Sequence, residues 1–194
     1  MAPTTSFTDA DRASMRVALD QARDALDEWE VPCGCALERD GEIVAVGRNA
    51  TNRTRNGTRH AEFEAVDALI DAHDGDARAC RFEDVTLYVT CEPCVMCAGA
   101  MSALGVRRVV YGCATDKFGG NGTVLGVHES GCGGCDGAGA RGKTYESHGG
   151  LYADEAIRLF QDFYIRGNPK APVPHRDVKA FPPKGLAKVG VVMK

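Results

Sequence analysis

Two short motifs hold three residues that can ligate a metal and one that can carry protons. His60-Ala61-Glu62 comes first, and Pro93-Cys94-Val95-Met96-Cys97 follows it. One imidazole and two thiolates offer three ligands to a zinc ion, which prefers four ligands and so keeps one position open to water. Glu62, two residues from the histidine, can move protons to and from that water. We therefore predict a catalytic zinc site with His60, Cys94 and Cys97 as ligands and Glu62 as proton carrier.

The spacing of the cysteines leaves one local alternative. Cys94 and Cys97 are three residues apart and share a face if they lie on a helix. Pro93 favours a helix that begins here, with both thiols in a first turn that stabilises thiolates. Cys91 and Cys94 have the same spacing, but Pro93 places Cys91 before the helix. We expect Cys91 to be a core residue at a strand end.

A second Cys-x-x-Cys pair, Cys132 and Cys135, lies in the glycine-rich stretch 119–142. With His128 or His148, this pair could hold a second metal. The alternative is that these cysteines are small residues in a surface loop without a metal. We favour this alternative because the flanking glycines do not hold the two thiols in a fixed position.

Composition excludes several classes of protein. The chain has 194 residues, of which 44% are hydrophobic and 26% charged, which is ordinary for a globular protein. It has no apolar run of about eighteen residues, so we expect no membrane span, and its first residues lack the features of a signal peptide. Nine cysteines are an odd number, and the closest pairs have metal-like spacings, so we expect a reducing compartment, the cytoplasm or nucleus.

The C-terminal end is basic although the net charge of the chain is −4. From Ile165 to Lys194 there are seven basic residues and one acidic residue, Asp177. We expect a domain over 1–168 and a basic, proline-containing tail over 169–194 that meets a polyanion. A solvated tail without a ligand is the alternative.

Apolar periodicity predicts four helices and five strands. Their order predicts an α/β fold of three layers, α/β/α, with a central mixed five-stranded sheet. The glycine-rich stretch 119–142 is predicted to be a long surface loop. The predicted helices are 8–30, 60–73, 93–104 and 152–166, and the predicted strands are 33–38, 43–47, 85–90, 106–111 and 143–147.

The pattern His-x-Glu followed by Pro-Cys-x-x-Cys is typical of zinc-dependent deaminases that act on nucleobases. The stretch 87–101, Leu-Tyr-Val-Thr-Cys-Glu-Pro-Cys-Val-Met-Cys-Ala-Gly-Ala-Met, resembles the tRNA-specific adenosine deaminases of the cytidine deaminase superfamily. Val-Val-Tyr-Gly-Cys at 109–113 and Lys-Phe-Gly-Gly-Asn-Gly-Thr-Val-Leu at 117–125 are similar to the catalytic subunit of the eukaryotic wobble-position enzymes, as is 163–168. The resemblance covers about 14–172 and implies a cytidine-deaminase-like fold.

This resemblance implies hydrolysis of adenosine to inosine at the first anticodon position of tRNA, with Zn²⁺ as the cofactor. It further implies that Asn49 hydrogen-bonds the flipped base, that Val31 packs against the base and that the Ala61 backbone contacts its edge. It also implies a heterodimer with a noncatalytic relative that lacks the glutamate, and a homodimer is less expected.

Basic side chains outside the zinc motif fit binding to the tRNA backbone. The candidates for RNA contacts are Arg53, Arg55, Arg166, Lys170, Arg176, Lys179, Lys184 and Lys188.

The chain departs from the family pattern at Cys91, at Cys33-Gly-Cys35 and in the Gly/Cys-rich stretch after Val127. Two other functions remain open. One is deamination of a free base or nucleotide such as guanine, cytosine or deoxycytidylate, against which the loop arginines and the basic tail argue. The other is a noncatalytic tRNA-binding subunit with structural zinc, in which Glu62 would have no use.

Deletion of 170–194 is expected to weaken tRNA affinity and to leave the zinc content intact, because the tail carries phosphate-binding charge but no predicted zinc ligand. Filter binding at physiological salt and metal analysis of the purified protein measure the two quantities. Unchanged affinity would reject a role for the tail in RNA binding.

Overall fold

A mixed sheet forms the centre of the protein. The computed structural model describes residues 6–131 and 142–166 and the backbone of 191–192. The strands in chain order are β1 (Gly34–Arg39), β2 (Glu42–Arg48), β3 (Thr86–Cys91), β4 (Arg108–Thr115), β5 (Glu146–Gly149) and β6 (Val191–Val192). The main sheet has the order β2-β1-β3-β4-β5, and β6 pairs with the last two residues of β4. β1 pairs antiparallel with both β2 and β3, whereas β3, β4 and β5 are parallel.

Helices cover both faces of the sheet. They are α1 (Asp9–Asp27), α2 (Thr51–Thr54), α3 (Ala61–Asp71), α4 (Val95–Leu104), α5 (Val127–Ser130) and α6 (Ala153–Arg166), with a 3₁₀ turn at Phe82–Asp84. No helix in the described ranges is long and apolar enough to cross a membrane.

Alternation along the strands separates two cores. In β3, Leu87 and Val89 pack with α3 and α4 on one face, whereas Tyr88 packs with α1 and α6 on the other. Because successive side chains of a strand point to opposite faces of the sheet, a single strand contributes residues to both helix layers. The α/β/α architecture with a five-stranded mixed main sheet is therefore confirmed.

Several segments differ from the sequence-based prediction: β4 is Arg108–Thr115 rather than 106–111, β5 is Glu146–Gly149 rather than 143–147, and α2 was not predicted. Helix α1 ends at Asp27 rather than near Glu30, because Trp29 takes a left-handed conformation with φ of 63°. The surface-loop prediction for 119–142 is wrong at its start, since Gly119, Gly120 and Asn121 are buried and 127–130 form α5. The rest of that stretch, 132–141, and the tail 167–190 lie outside the described residues, so the boundary between domain and tail stays a prediction.

Two strand glycines allow helices to lie directly on the sheet. A Cβ on Gly34 would stand 2.3 Å from Ala22 N and 2.4 Å from Ala18 O of α1. A Cβ on Gly47 would stand 2.1 Å from Ala61 O, at the start of α3. Both contacts are with backbone atoms, which cannot rotate away as a side chain can.

Gly34→Ala is expected to lower the free energy of unfolding by about 1–3 kcal/mol, because α1 must move away from β1. Gly99→Ala is the matched control, since a Cβ there meets nothing within 4 Å and alanine is the better helix former. Urea denaturation measures both variants. Equal unfolding free energies for Gly34→Ala and wild type would show that the α1–β1 contact is not tight.

Candidate metal centre and active site

The metal-ligating residues come together where two helices begin. His60 is the residue that caps the start of α3, and Cys94 is the corresponding residue of α4. Cys97 lies in the first turn of α4. Because the first N–H groups of a helix have no partner within the helix and carry partial positive charge, both helix starts favour negatively charged ligands between them.

The three donor atoms fit a zinc ion. His60 Nδ1 lies 3.6 Å from Cys94 Sγ and 3.5 Å from Cys97 Sγ, and the two sulfurs are 3.5 Å apart. Tetrahedral zinc with usual bond lengths would set N–S separations of about 3.6 Å and an S–S separation of about 3.8 Å. Among the described residues, this is the one group in which three possible ligands lie close enough together to hold a single ion. It offers three donor atoms.

The protonation state of Cys94 agrees with this role, whereas the pKa of the Cys97 thiol is raised by its hydrogen bond with Cys94 and by burial. The hydrogen bond from the Cys97 thiol, together with that from His60, lowers the pKa of Cys94 to about 4. The pKa of His60 is raised in turn by its hydrogen bond to Cys94. Cys94 is therefore a thiolate at neutral pH, the form that binds metals.

Glu62 is buried beside the cluster. It lies in the first turn of α3, is 3% exposed and lines the same cleft as His60 and Cys94. Burial is the main cause that raises the pKa of its carboxyl group above the ordinary value. A carboxyl group with a raised pKa holds a proton more readily than an exposed one, which suits a group that must accept and return a proton.

The cleft that contains these residues has a volume of about 460 Å³. Val31 and Asn49, the two predicted base contacts, both line it, and Phe118, Phe160 and Tyr164 supply aromatic walls. Ala61 is fully buried between His60 and Glu62, and its carbonyl accepts a hydrogen bond from the Cys35 thiol at 3.1 Å. The structure thus gathers the predicted residues in one place, while their contacts with a base stay predictions.

Glu30, which the sequence analysis did not single out, fixes Asn49. Its buried carboxylate accepts hydrogen bonds from Asn49 Nδ2 at 3.1 Å, from Asn52 N at 2.9 Å and from Arg53 N at 2.6 Å. Asn49 Nδ2 also donates to Thr51 Oγ1 at 2.9 Å. The amide is therefore held in one orientation at the edge of the cleft.

Glu92 is a second buried carboxylate that the sequence analysis missed. It lines the cleft and accepts hydrogen bonds from the backbone N–H groups of Thr115, Asn121 and Thr123 at 3.0–3.1 Å. These bonds hold 119–121 inward, and position 119 suits glycine because a Cβ there would stand 2.5 Å from Glu92 Oε1. A glutamate between a cysteine and a proline in the zinc motif was the available signal.

The alternative metal ligands that the structure describes fall outside the cluster. Cys91 lines the cleft, and its thiol pKa is raised by the hydrogen bond with Cys113 and by burial, so it stays protonated. His128 and His148 stand near Glu129 and Glu146, at 3.7 and 3.6 Å. Cys132 and Cys135 lie outside the described residues.

Three of the four candidate RNA-binding arginines lie within the described residues, and all three are on the surface. Arg53 and Arg55 are exposed at the end of α2. Arg166 is the last residue of α6, and its Nη1 lies 3.7 Å from Asp27, the last residue of α1. Lys170, Arg176, Lys179, Lys184 and Lys188 lie outside the described residues, and their role stays a prediction.

The fold and the three-donor cluster define a zinc-dependent deaminase, and residues 8–113 match the family described as the cytidine and deoxycytidylate deaminase zinc-binding region. The chain is 42% identical over 160 residues to the tRNA-specific adenosine deaminase 2 of Xenopus tropicalis, covering 81% of this chain and 91% of that one. It is 39% identical over 182 residues to the protein of the same name from Danio rerio, covering 93% of this chain and 82% of that one. The chain belongs to the tRNA-specific adenosine deaminases.

Solved structures of deaminases share the fold. One, from a study of A-to-I editing by tRNA:A34 deaminases at the wobble position, has a TM-score of 0.65 and 29% identity over 76% of this chain and 98% of its own. A guanine deaminase from Nitrosomonas europaea has a TM-score of 0.62 and 26% identity over 78% of this chain and 83% of its own.

The purified protein is expected to bind one zinc ion per chain, and Cys97→Ser is expected to lose it because two donors hold zinc poorly. Cys91→Ser, in the same cleft but outside the cluster, is the matched control and should keep the ion. Elemental analysis of the folded variants measures the ratio. Zinc retained by Cys97→Ser and lost from Cys91→Ser would move the site to the alternative pair.

Proposed function

We propose that this protein hydrolyses adenosine to inosine at the first, wobble position of tRNA anticodons. The observation that carries the proposal is a buried glutamate, Glu62, beside a three-donor metal cluster in a cleft of about 460 Å³. A structural zinc site uses four protein ligands and needs no proton carrier. A site with three ligands and a buried acid is suited to hydrolysis instead.

Zinc held by His60, Cys94 and Cys97 would lower the pKa of water toward neutrality and make hydroxide available there. Glu62 takes one proton from the attacking water and delivers it to the ring nitrogen, and it then carries the second proton, from the newly added hydroxyl group, to the departing amine. The products are inosine and ammonia, so the reaction consumes one water and leaves Glu62 as it began.

The walls of the cleft select a flat, partly polar ring. Val31, Phe160 and Tyr164 provide apolar surface for its faces. Asn49, held by Glu30 and Thr51, provides a fixed amide for its edge. A purine base turned out of a single-stranded loop presents this combination of face and edge.

A tRNA substrate is favoured over a free base by the relatives and by the surface. The relatives that align with 81–93% of the chain are named tRNA-specific adenosine deaminases. Arg53 and Arg55 are exposed within the segment that follows Asn49, and a free base has no phosphate for them to bind. Deamination of a free base such as guanine is the second candidate, because a guanine deaminase shares the fold.

We also propose a dimer, with a noncatalytic relative as the partner. Phe118 is 64% exposed, and Val124 and Leu125 are about half exposed on the same segment beside the cleft. Large apolar side chains grouped in this way are typical of a surface covered by another protein. A fission yeast relative, 34% identical over 171 residues, is itself named as a subunit.

Glu62→Ala is expected to keep its zinc and to lose at least about a hundredfold in turnover, because the proton carrier is removed while the ligands stay. Asp71→Ala, an exposed carboxylate on the same helix, is the control and should behave as wild type. Inosine mapping on a tRNA pool, with and without a coexpressed partner, and ammonia release from free guanine and cytosine are the two assays.

Inosine at the wobble position that depends on Glu62 supports the proposal. Ammonia release from a free base, without inosine in tRNA, would show that the substrate is a free base rather than tRNA. Turnover of Glu62→Ala near that of wild type would remove Glu62 from the mechanism.

A further inference from the structure

A second cleft lies beside the catalytic one. It has a volume of about 900 Å³ and is open on one side. The residues that line it are Asp27, Glu28, Trp29, Arg48, Asn52, Arg53 and Arg55. It thus combines one large aromatic ring with three arginines, a composition that the chemistry of the catalytic site does not explain.

Helix α2 forms the boundary between the two clefts. Asn49 and Thr51 line the catalytic cleft, whereas Asn52 and Arg53, the next residues along the chain, line the second one. The Glu30 carboxylate binds Asn49 on one side and the Asn52 and Arg53 N–H groups on the other. One buried group therefore sets the position of both clefts relative to each other.

Trp29 is held in place rather than left loose on the surface. Its backbone has φ of 63°, a left-handed conformation that is unfavourable for a bulky side chain. The Asn52 side chain donates a hydrogen bond to the Trp29 carbonyl at 2.8 Å, and Glu30 N bonds to Ala25 O at 2.8 Å. A left-handed residue closed by the bonds from Trp29 N to Leu26 O and from Glu30 N to Ala25 O is a common way to end a helix, and it fixes the backbone that carries the Trp29 ring.

The charges of the second cleft leave an excess of positive charge at one end. Glu28 is bound by Arg48 at 2.6 Å, and Asp27 lies 3.7 Å from Arg166. Arg53 is 64% exposed, and the carboxylate near it, that of Glu64, is bound more closely by Arg59, at 2.6 Å against 3.4 Å. Arg53 and Arg55 can therefore bind an external anion.

We propose that the second cleft binds a nucleotide next to the target adenosine, with its base against the Trp29 ring and its phosphate against Arg53 and Arg55. A base and an aromatic side chain stack without need for a particular sequence, and arginines bind the backbone phosphates. The inference rests on the proposed function in one respect, that the substrate is a polynucleotide.

Trp29 is the single tryptophan of the chain, so it reports on its own contact. The fluorescence of the wild-type enzyme minus that of Trp29→Phe gives the signal of Trp29 alone. This subtraction works for the single chain and for a complex with a partner. Titration with an anticodon stem-loop RNA is expected to quench the difference signal. The control RNA keeps every phosphate but is abasic on both sides of the target, and it should bind without quenching.

Kinetics on the same stem-loop provide the second measurement. Trp29→Leu is expected to raise KM about tenfold and leave kcat unchanged, whereas Trp29→Phe keeps an aromatic face and should stay near wild type. Arg55→Gln should raise KM and reduce its salt dependence. Zinc content and thermal unfolding of each variant show whether the fold is intact.

The two proposals fail in different ways. If wild type makes inosine but Trp29→Leu has the wild-type KM and the emission does not respond to RNA, the second cleft is not a nucleotide site. If quenching is equal with the abasic RNA, the contact is not stacking and the inference is overturned. If wild type makes no inosine in any RNA, the proposed function itself fails.

Discussion

The meeting of two helix starts around one cluster of soft ligands is the constraint on which the rest of the structure depends. β3 and β4 are parallel, so their carboxyl ends lie at the same edge of the sheet, and α4 leaves from β3 at that edge. α3 reaches the same place because Gly47 lets it lie directly on β2. A change in either helix would separate His60 from the two thiols, whose Sγ atoms are only 3.5–3.6 Å from its Nδ1.

Two buried carboxylates shape the surroundings of the cluster. Glu30 and Glu92 are almost fully buried, and each accepts hydrogen bonds from several N–H groups. Burying a charge is costly unless it is well hydrogen-bonded, so such carboxylates force the donating segments into fixed positions. Glu30 orders the residues after β2, and Glu92 orders those after β4. The two loops that frame the cleft are thus each built around a single side chain.

The sequence predicted the four long helices, the five strands of the main sheet and the metal ligands because these depend on local patterns, but it missed the one-turn helices α2 and α5 and the strand β6. Pro93 marks the start of α4, and the β-branched and aromatic residues of 85–90 mark β3, which is buried on both faces. The roles of Glu30 and Glu92 were not predictable in the same way, because their partners lie 19 to 31 residues away along the chain. The inward course of 119–121 was hidden by its glycines, which usually indicate exposed turns but here leave room for a carboxylate.

The order of the functional parts along the chain has a consequence for biosynthesis. The last metal-binding residue is Cys97, whereas Thr115, Phe118, Phe160 and Tyr164 of the cleft wall come later. A ribosome therefore makes all three donors well before Phe160 and Tyr164, which complete the aromatic wall around them. Since N-terminal parts of a chain begin to fold first, the ion can be acquired by the nascent polypeptide while the chamber around it is still incomplete.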